Sequence, residues 1–100
     1  MKVIVAGTVR VPPAKVAAFR PHMQAMIAAS RAEDGCEAYD YGEDVSEAGL
    51  MRVFEVWRDW SALNAHFKTP HLAAWRDAWP AFGVTDRRLA VYEIAGQSPL

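Results

Sequence analysis

The segment from Leu50 to Arg58 constrains the fold most, because it reads as a β-strand that is apolar on both faces. Alternate side chains of a strand point to opposite sides of its sheet. The apolar side chains divide into two sets, with Met51, Val53 and Trp57 on one side and Leu50, Phe54 and Val56 on the other. Such a strand needs cover on both sides. We therefore expect helices against one face of the sheet and a second copy of the chain against the other.

Strand and helix patterns follow one another along the chain in the order β-α-β-β-α-α-β. The predicted elements are a strand over 2–11, a helix from Pro13 to about Glu33, strands at Cys36–Glu43 and Leu50–Arg58, helices capped by Asp59 and Thr69, and a strand at Leu89–Ile94. Pro80 is expected to end the last helix. This order predicts one α+β domain over residues 1–100, a ferredoxin-like antiparallel sheet with helices on one face.

The two short helices carry apolar side chains at helical spacing, and these side chains are expected to face the sheet. The first helix would bury Trp60, Leu63 and Phe67. The second would bury a stripe made of Leu72, Trp75, Trp79 and Phe82. His66 would then lie at the edge of the inward stripe, beside the core.

Composition excludes several classes of protein. The chain is 52% hydrophobic with a net charge of −1, which argues against nucleic-acid binding and favours a partner surface. No apolar run approaches the length of a membrane span, so no membrane partner is expected. Cys36 is the single cysteine, which excludes a disulfide framework and fits a reducing cytoplasm. The residues after Met1 lack the layout of a signal peptide.

Candidate chemistry concentrates between Phe54 and His71, where titratable groups lie among aromatic side chains. His66 is the candidate general base, since imidazole titrates near neutral pH. Glu55 would orient it and raise its pKa. The alternatives are a structural ion pair for Glu55 and a structural hydrogen bond for His66. The spacing of the histidines fits no metal-ligand motif and no cluster of cysteines or carboxylates joins them, so no metal is expected.

Three short stretches together resemble the antibiotic biosynthesis monooxygenase family, in particular its quinol-monooxygenase-like branch. They are residues 33–39 (Glu-Asp-Gly-Cys-Glu-Ala-Tyr), 54–57 (Phe-Glu-Val-Trp) and 63–71 (Leu-Asn-Ala-His-Phe-Lys-Thr-Pro-His). The resemblance runs in order along nearly the whole chain. It implies a dimeric α+β barrel with a pocket between sheet and helices in each subunit. It also implies oxidation of electron-rich phenols or quinols by O₂ without a cofactor.

These observations give a leading hypothesis and two alternatives. The first is a cofactor-independent monooxygenase of a small quinol or polyphenol that works as a homodimer, with His66 and Glu55 as catalytic residues. Trp57, Tyr39, His71 and Trp75 would bind the small aromatic substrate. The second is an isomerase of a small carbonyl or sugar derivative that uses the same acid–base pair. The third is a non-catalytic dimeric module that binds a small hydrophobic ligand.

Overall fold

Four antiparallel strands and three α-helices form the protein in the computed structural model, which describes residues 1–100. The elements are β1 (Val3–Arg10), α1 (Val16–Arg31), β2 (Cys36–Glu43), β3 (Leu50–Trp57), α2 (Trp60–His66), α3 (Pro70–Phe82) and β4 (Thr85–Glu93), with a short 3₁₀ turn at Pro13–Lys15. The ferredoxin-like α+β prediction is confirmed. No helix combines the length and the apolarity that crossing a bilayer requires.

The sheet has the strand order β2-β3-β1-β4, with every neighbouring pair antiparallel. Val5 at the centre of β1 pairs with Glu55 on β3 and with Val91 on β4. Tyr39 on β2 pairs with Glu55 in turn. Residues that pair directly across a sheet point to the same face. This register therefore places Tyr39, Glu55, Val5 and Val91 in one row on the face that the helices cover.

Caps fix the ends of the two short helices as the sequence predicts. The Asp59 carboxylate accepts a hydrogen bond from the backbone N–H of Ala62 at 2.8 Å, and Thr69 caps α3 with Pro70 at its first position. The prediction that Pro80 ends α3 is wrong. A proline lacks an N–H but its carbonyl still accepts, here from Gly83, so the helix continues to Phe82. Gly83 ends it in the left-handed conformation, at φ 69°.

The last strand begins at Thr85, four residues before the predicted start at Leu89. Its first residues are polar and exposed, so they carry no apolar alternation to read. Gly7 on β1 allows the close pairing that defines this strand. Its φ is 152°, and a Cβ built on it would lie 1.9 Å from the backbone oxygen of Arg88. The missing side chain thus sets how closely β4 approaches β1.

The orientation of α2 differs from the prediction. Trp60 and Phe67 are 40% and 46% exposed, whereas Ala62, Leu63 and His66 are buried. The cap ties the first turn of α2 to the end of β3 and leaves Trp60 at the edge, where its indole N–H donates to Glu93 at 2.7 Å. His66 therefore belongs to the core face of this helix.

The two faces of the sheet differ in cover. On the helix-covered face, Val3, Trp57 and Tyr39 are almost fully buried. The opposite face, which we call the outer face, presents Ile4, Ala6, Phe54, Val56 and Tyr92. Phe54 is 44% exposed and Tyr92 is 54% exposed. The two-sided pattern of the third strand thus corresponds to one buried face and one open apolar face.

Candidate active site

A cavity of about 80 Å³ lies between the helix-covered face of the sheet and helices α2 and α3. Ten of its fourteen lining residues are hydrophobic, and the other four are Glu55, His66, Arg76 and Arg87. Glu55 and His66 are buried, so they mark the inner end of the cavity. Both arginines are exposed and mark its mouth. A mostly apolar cavity with a few convergent polar groups is the usual form of a small-molecule site.

His66 lies at the inner end with only 2% of its surface exposed. Its ring packs against Trp57, at 4.7 Å between ring centroids, and against Tyr39, at 5.5 Å. Nδ1 lies 2.6 Å from Oε2 of Glu33, whereas Nε2 has no hydrogen-bond partner in the chain. Burial lowers the pKa of His66 more than the neighbouring Glu33 raises it. The ring is therefore neutral near pH 7, and it donates through Nδ1 and keeps a lone pair on Nε2.

The carboxylate that orients His66 is Glu33, and the expectation that Glu55 would do so is wrong. Glu33 follows the end of α1, and its Oε2 also lies 2.8 Å from Nε2 of His71. One carboxylate oxygen thus bridges two imidazoles. The predicted rise in the pKa of His66 is also wrong in sign, because burial outweighs the carboxylate. Thirty-three positions separate Glu33 from His66, so spacing alone gives no signal for this contact.

Glu55 occupies a different environment on the floor of the cavity. Glu55 is 5% exposed, and its Oε1 accepts a hydrogen bond from the indole N–H of Trp57 at 2.9 Å. Burial raises the pKa of Glu55 to about 7, and the positive charge of Arg87 opposes that rise. No arginine or lysine forms an ion pair with it. The structural ion pair considered for Glu55 is therefore absent.

The four residues expected to bind substrate separate into two groups. Tyr39 and Trp75 line the cavity. Trp57 is fully buried behind His66 and does not reach the cavity wall. His71 also lies outside the wall, beside Glu33. The structure thus gives Trp57 and His71 contacts that support the buried imidazole, and it places Tyr39 and Trp75 where a ligand could touch them.

Glu33, His66 and His71 are also the residues that could hold a metal ion, since one ligand atom from each lies within 4.8 Å of the others. A single carboxylate, that of Glu33, joins these two histidines, and the spacing along the sequence does not indicate it. The two N–O separations of 2.6 and 2.8 Å are hydrogen-bond lengths. Two ligands on a tetrahedral zinc ion lie about 3.3 Å apart at normal bond lengths. The arrangement fits shared protons better than a shared cation.

Arg76, Arg87 and Trp79 line the mouth side of the cavity and were not singled out as site residues from the sequence. Arg87 belongs to the polar start of β4, which carries no readable strand pattern. Arg76 is an exposed charge on a helix, which is common in any protein. Only the tertiary arrangement, in which α3 and β4 both border the cavity, brings these side chains to one opening.

Comparisons with known proteins agree with the fold and with the resemblance in the sequence. The profile of the antibiotic biosynthesis monooxygenase family matches residues 2–78. YcnE of Bacillus subtilis, provisionally named a monooxygenase, is 32% identical over 69 residues, which are 69% of this chain and 73% of that protein. Protein sll1783 of Synechocystis is 36% identical over 93% of this chain, but the chain spans only 63% of the length of that relative.

A solved structure from Deinococcus radiodurans, provisionally described as an antibiotic biosynthesis monooxygenase, superimposes with a TM-score of 0.89 at 27% identity. The match covers 100% of this chain and 98% of that one. The profile match spans more than half of the chain, and the three family-like stretches lie on the strands, turns and helices that build the cavity. The chain belongs to the antibiotic biosynthesis monooxygenase family.

Proposed function

We propose that this protein is a monooxygenase that oxidises a small quinol or polyphenol with O₂ and needs no metal or organic cofactor. The observation that carries the proposal is the buried, neutral His66, held through Nδ1 by Glu33 and left with a free Nε2 in an apolar cavity. This is the form in which an imidazole accepts a proton from a phenol.

In the first step, Nε2 of His66 takes the proton of a phenolic hydroxyl. Glu33 accepts the Nδ1–H hydrogen bond throughout, and it stabilises the imidazolium that forms. The arrangement matches the part of a catalytic triad in which a carboxylate fixes the tautomer of a histidine base. The product of this step is an electron-rich phenolate inside the cavity.

In the second step, the phenolate transfers one electron to O₂, which gives a semiquinone and superoxide. The two combine at a ring carbon and form a hydroperoxide. Loss of the ring proton and cleavage of the O–O bond then release water and leave a new carbonyl on the ring. For a single-ring quinol the balance is C₆H₆O₂ + O₂ → C₆H₄O₃ + H₂O, so the substrate supplies all the electrons.

The cavity supports this chemistry through its walls. Leu72, Trp75 and Leu89 are among the lining side chains that limit the access of water to the reacting ring. Glu55, with a pKa of about 7, can exchange a proton at working pH and is suited to the later proton transfers. His66 and Glu55 remain the proposed catalytic residues, and Glu33 is added as the residue that positions His66.

The test is oxygen uptake with single-ring and fused-ring quinols, after subtraction of the uptake without protein. With ¹⁸O₂, mass spectrometry should find one labelled oxygen atom in the product and one in water. His22 is an exposed histidine outside the cavity, so a His22→Ala variant serves as the control and should retain the activity. The proposal would be refuted if oxygen uptake did not exceed the background with any quinol, at protein concentrations where ligand binding is measurable.

An isomerase is the second candidate, because His66 and Glu55 line one cavity, and burial raises the pKa of Glu55 to about 7 and lowers the pKa of His66. Such a pair can move a proton between two carbon atoms of a carbonyl compound without O₂. Turnover of a small ketose or aldose derivative under anaerobic conditions would favour it over the oxygenase. The isomerase would be excluded if the protein left that substrate unchanged and showed quinol-dependent oxygen uptake.

We also propose that the working form is a homodimer in which the outer faces of two sheets pack around a twofold axis. The support is the apolar outer face itself, with Phe54 and Tyr92 about half exposed in one chain. An interface of standard size, about 1,600 Å² in total, is expected. Sedimentation at micromolar concentration should find a dimer, and Phe54→Glu should shift it toward monomer. A wild-type protein that sediments as a folded monomer would refute this part.

A further inference from the structure

The mouth of the cavity is positively charged and its charges are unpaired. Arg76 on α3 and Arg87 on β4 both line the opening, and neither guanidinium takes part in an ion pair within the chain. Asp86, the acid beside Arg87, lies 3.7 Å from Arg10 instead. Arginine forms ion pairs readily and offers five donors in a planar fork. Two unpaired arginines from different elements at one opening are therefore a feature that a ligand would complete.

A third donor lies in the same wall. The indole nitrogen of Trp79 is buried and has no hydrogen-bond acceptor, although Trp79 lines the cavity. A buried donor without a partner costs free energy, and few such groups occur in folded proteins. An acceptor on a bound molecule would satisfy this N–H. The wall thus offers two exposed guanidiniums at the mouth, a buried indole N–H without an acceptor, and a proton acceptor, Nε2 of His66, at the inner end.

The size of the cavity limits what can fill it. Its volume is about 80 Å³, whereas a closed cavity of about 150 Å³ accommodates one benzene molecule. A fused-ring molecule does not fit inside without substantial movement of the walls. A single ring can enter partway, so its substituents on the far side would remain at the opening between Arg76 and Arg87. The dimensions and the charges therefore favour the same orientation of the ligand.

We infer that the natural ligand is a single-ring quinol or phenol that carries a carboxylate, bound with a hydroxyl toward His66 and the carboxylate between Arg76 and Arg87. The inference rests on the proposed function for the role of the hydroxyl, but the preference for an anion rests on the mouth alone. The carboxylate forms charge-assisted hydrogen bonds with the two guanidiniums. The Trp79 N–H donates to an oxygen of the same molecule.

The test compares the binding of two probes that differ in charge and hardly in shape. These are 2,5-dihydroxybenzoate and 2,5-dihydroxybenzamide, titrated anaerobically into the full chain and followed by calorimetry and tryptophan fluorescence. The wild-type protein should bind the carboxylate at least about tenfold more tightly than the amide. Equal affinity, tighter binding of the amide, or binding of neither probe would overturn the inference.

Variants locate the source of that preference. Arg76→Gln combined with Arg87→Gln should remove most of the preference and leave the affinity for the amide nearly unchanged. Arg88→Gln is the matched control, because Arg88 adjoins Arg87 but pairs with Thr8 and does not line the cavity. It should retain the full preference. If the double variant still prefers the carboxylate probe, or if Arg88→Gln loses this preference as completely, then Arg76 and Arg87 are not its source.

The donor in the wall has its own variant. Trp79→Phe keeps an aromatic ring in the wall and removes the N–H, so it should weaken binding of both probes several-fold without changing their ratio. Unchanged affinity for both would exclude Trp79 as a contact.

Failure of the inference can be distinguished from failure of the proposed function. A carboxylate preference without oxygen uptake would support an anion-binding cavity and refute the oxygenase. Oxygen uptake with unsubstituted quinols, together with equal binding of the two probes, would support the oxygenase and refute the anionic substrate.

Discussion

Glu55 lines the cavity, whereas Glu33 contacts the histidine at its inner end, and the difference between the surroundings of these two carboxylates decides what each can do. Glu33 lies in the turn after α1, with its side chain 14% exposed, and one of its oxygens contacts two imidazoles. Glu55 lies on the floor of the sheet, 5% exposed, with the indole N–H of Trp57 as its partner. The negative charge of Glu33 strengthens its hydrogen bonds with the two imidazoles. The surroundings of Glu55 favour its protonated form.

This comparison shows that the more deeply buried carboxylate need not be the one that orients the histidine. Glu55 shares the helix-covered face with the cavity, and on the sequence it is the obvious partner of His66. With a pKa of about 7 it is largely protonated in mildly acidic solution and accepts only one weak donor. Glu33 approaches from the side, through a turn, and reaches Nδ1 of His66.

The largest expected effect follows from removing the imidazole of His66, which Glu33 orients. His66→Ala should lower quinol-dependent oxygen uptake by roughly 10²–10⁴-fold, the usual loss for a general base. The variant should remain folded and dimeric, because Leu63 and Ala62 still pack α2 on the sheet. Steady-state oxygen uptake and sedimentation measure both parts. Unchanged turnover would end the catalytic interpretation of His66 and leave it a structural residue.

Removing the charge of Glu33 should have the next largest effect. Glu33→Gln keeps the shape but loses a charge-assisted hydrogen bond, worth about 1.5–3 kcal/mol, so kcat/KM should fall roughly 10–100-fold. Since Glu33 raises the pKa of His66, the acid limb of the pH profile should also move to lower pH. A merely structural role would not move that limb. Glu37→Gln, at an exposed acid that pairs with Lys2, is the control and should change neither quantity.

The raised pKa of Glu55 should make the free energy of unfolding depend on pH. Its folded pKa of about 7 exceeds the ordinary 4.5, so between these values the folded protein holds a proton that the unfolded chain has released. The wild type therefore loses stability from this group as pH rises through that window, on the order of 3 kcal/mol in all. Glu55→Gln should remove this loss, so its stability relative to wild type should rise with pH.

Urea unfolding at pH 4.5 and pH 8, at one protein concentration, measures that difference. Other titrating groups contribute alike to both proteins, so the change in the difference isolates Glu55. A difference that stays constant with pH would mean that Glu55 is ionised in the folded protein, and the contrast between the two carboxylates would disappear.

The sequence was sufficient for those parts of the molecule in which local patterns determine structure. Alternating side chains and caps predict β2 at its observed bounds and place Asp59 and Thr69 at the starts of their helices. The start of β4 was missed because its polar residues are held by pairing with β1, which leaves no periodic signal. The rotation of α2 was missed because a helix of seven residues has too few turns to define an apolar stripe.

The site was predictable as a region and not as a set of contacts. Titratable residues among aromatic side chains pointed to the segment that contains Glu55 and His66, and both of these residues line the cavity. The bridge from Glu33 to two histidines depends on how α2 and α3 pack beside the turn after α1. No spacing along the chain encodes that arrangement. Glu33 is the first residue of the family-like stretch 33–39, but the resemblance does not indicate its role.

In the proposed mechanism Glu33, and not Glu55, holds His66 as the neutral tautomer protonated on Nδ1. Nitrogen-15 NMR of histidine-labelled protein at pH 7.5 tests it directly, because it distinguishes protonated from unprotonated ring nitrogens. We expect a protonated Nδ1 and an unprotonated Nε2 for His66 in the wild type and in Glu55→Gln, and a weakened or lost preference for this tautomer in Glu33→Gln. A proton on Nε2 in the wild type, or a tautomer that changes with Glu55→Gln and not with Glu33→Gln, would contradict it.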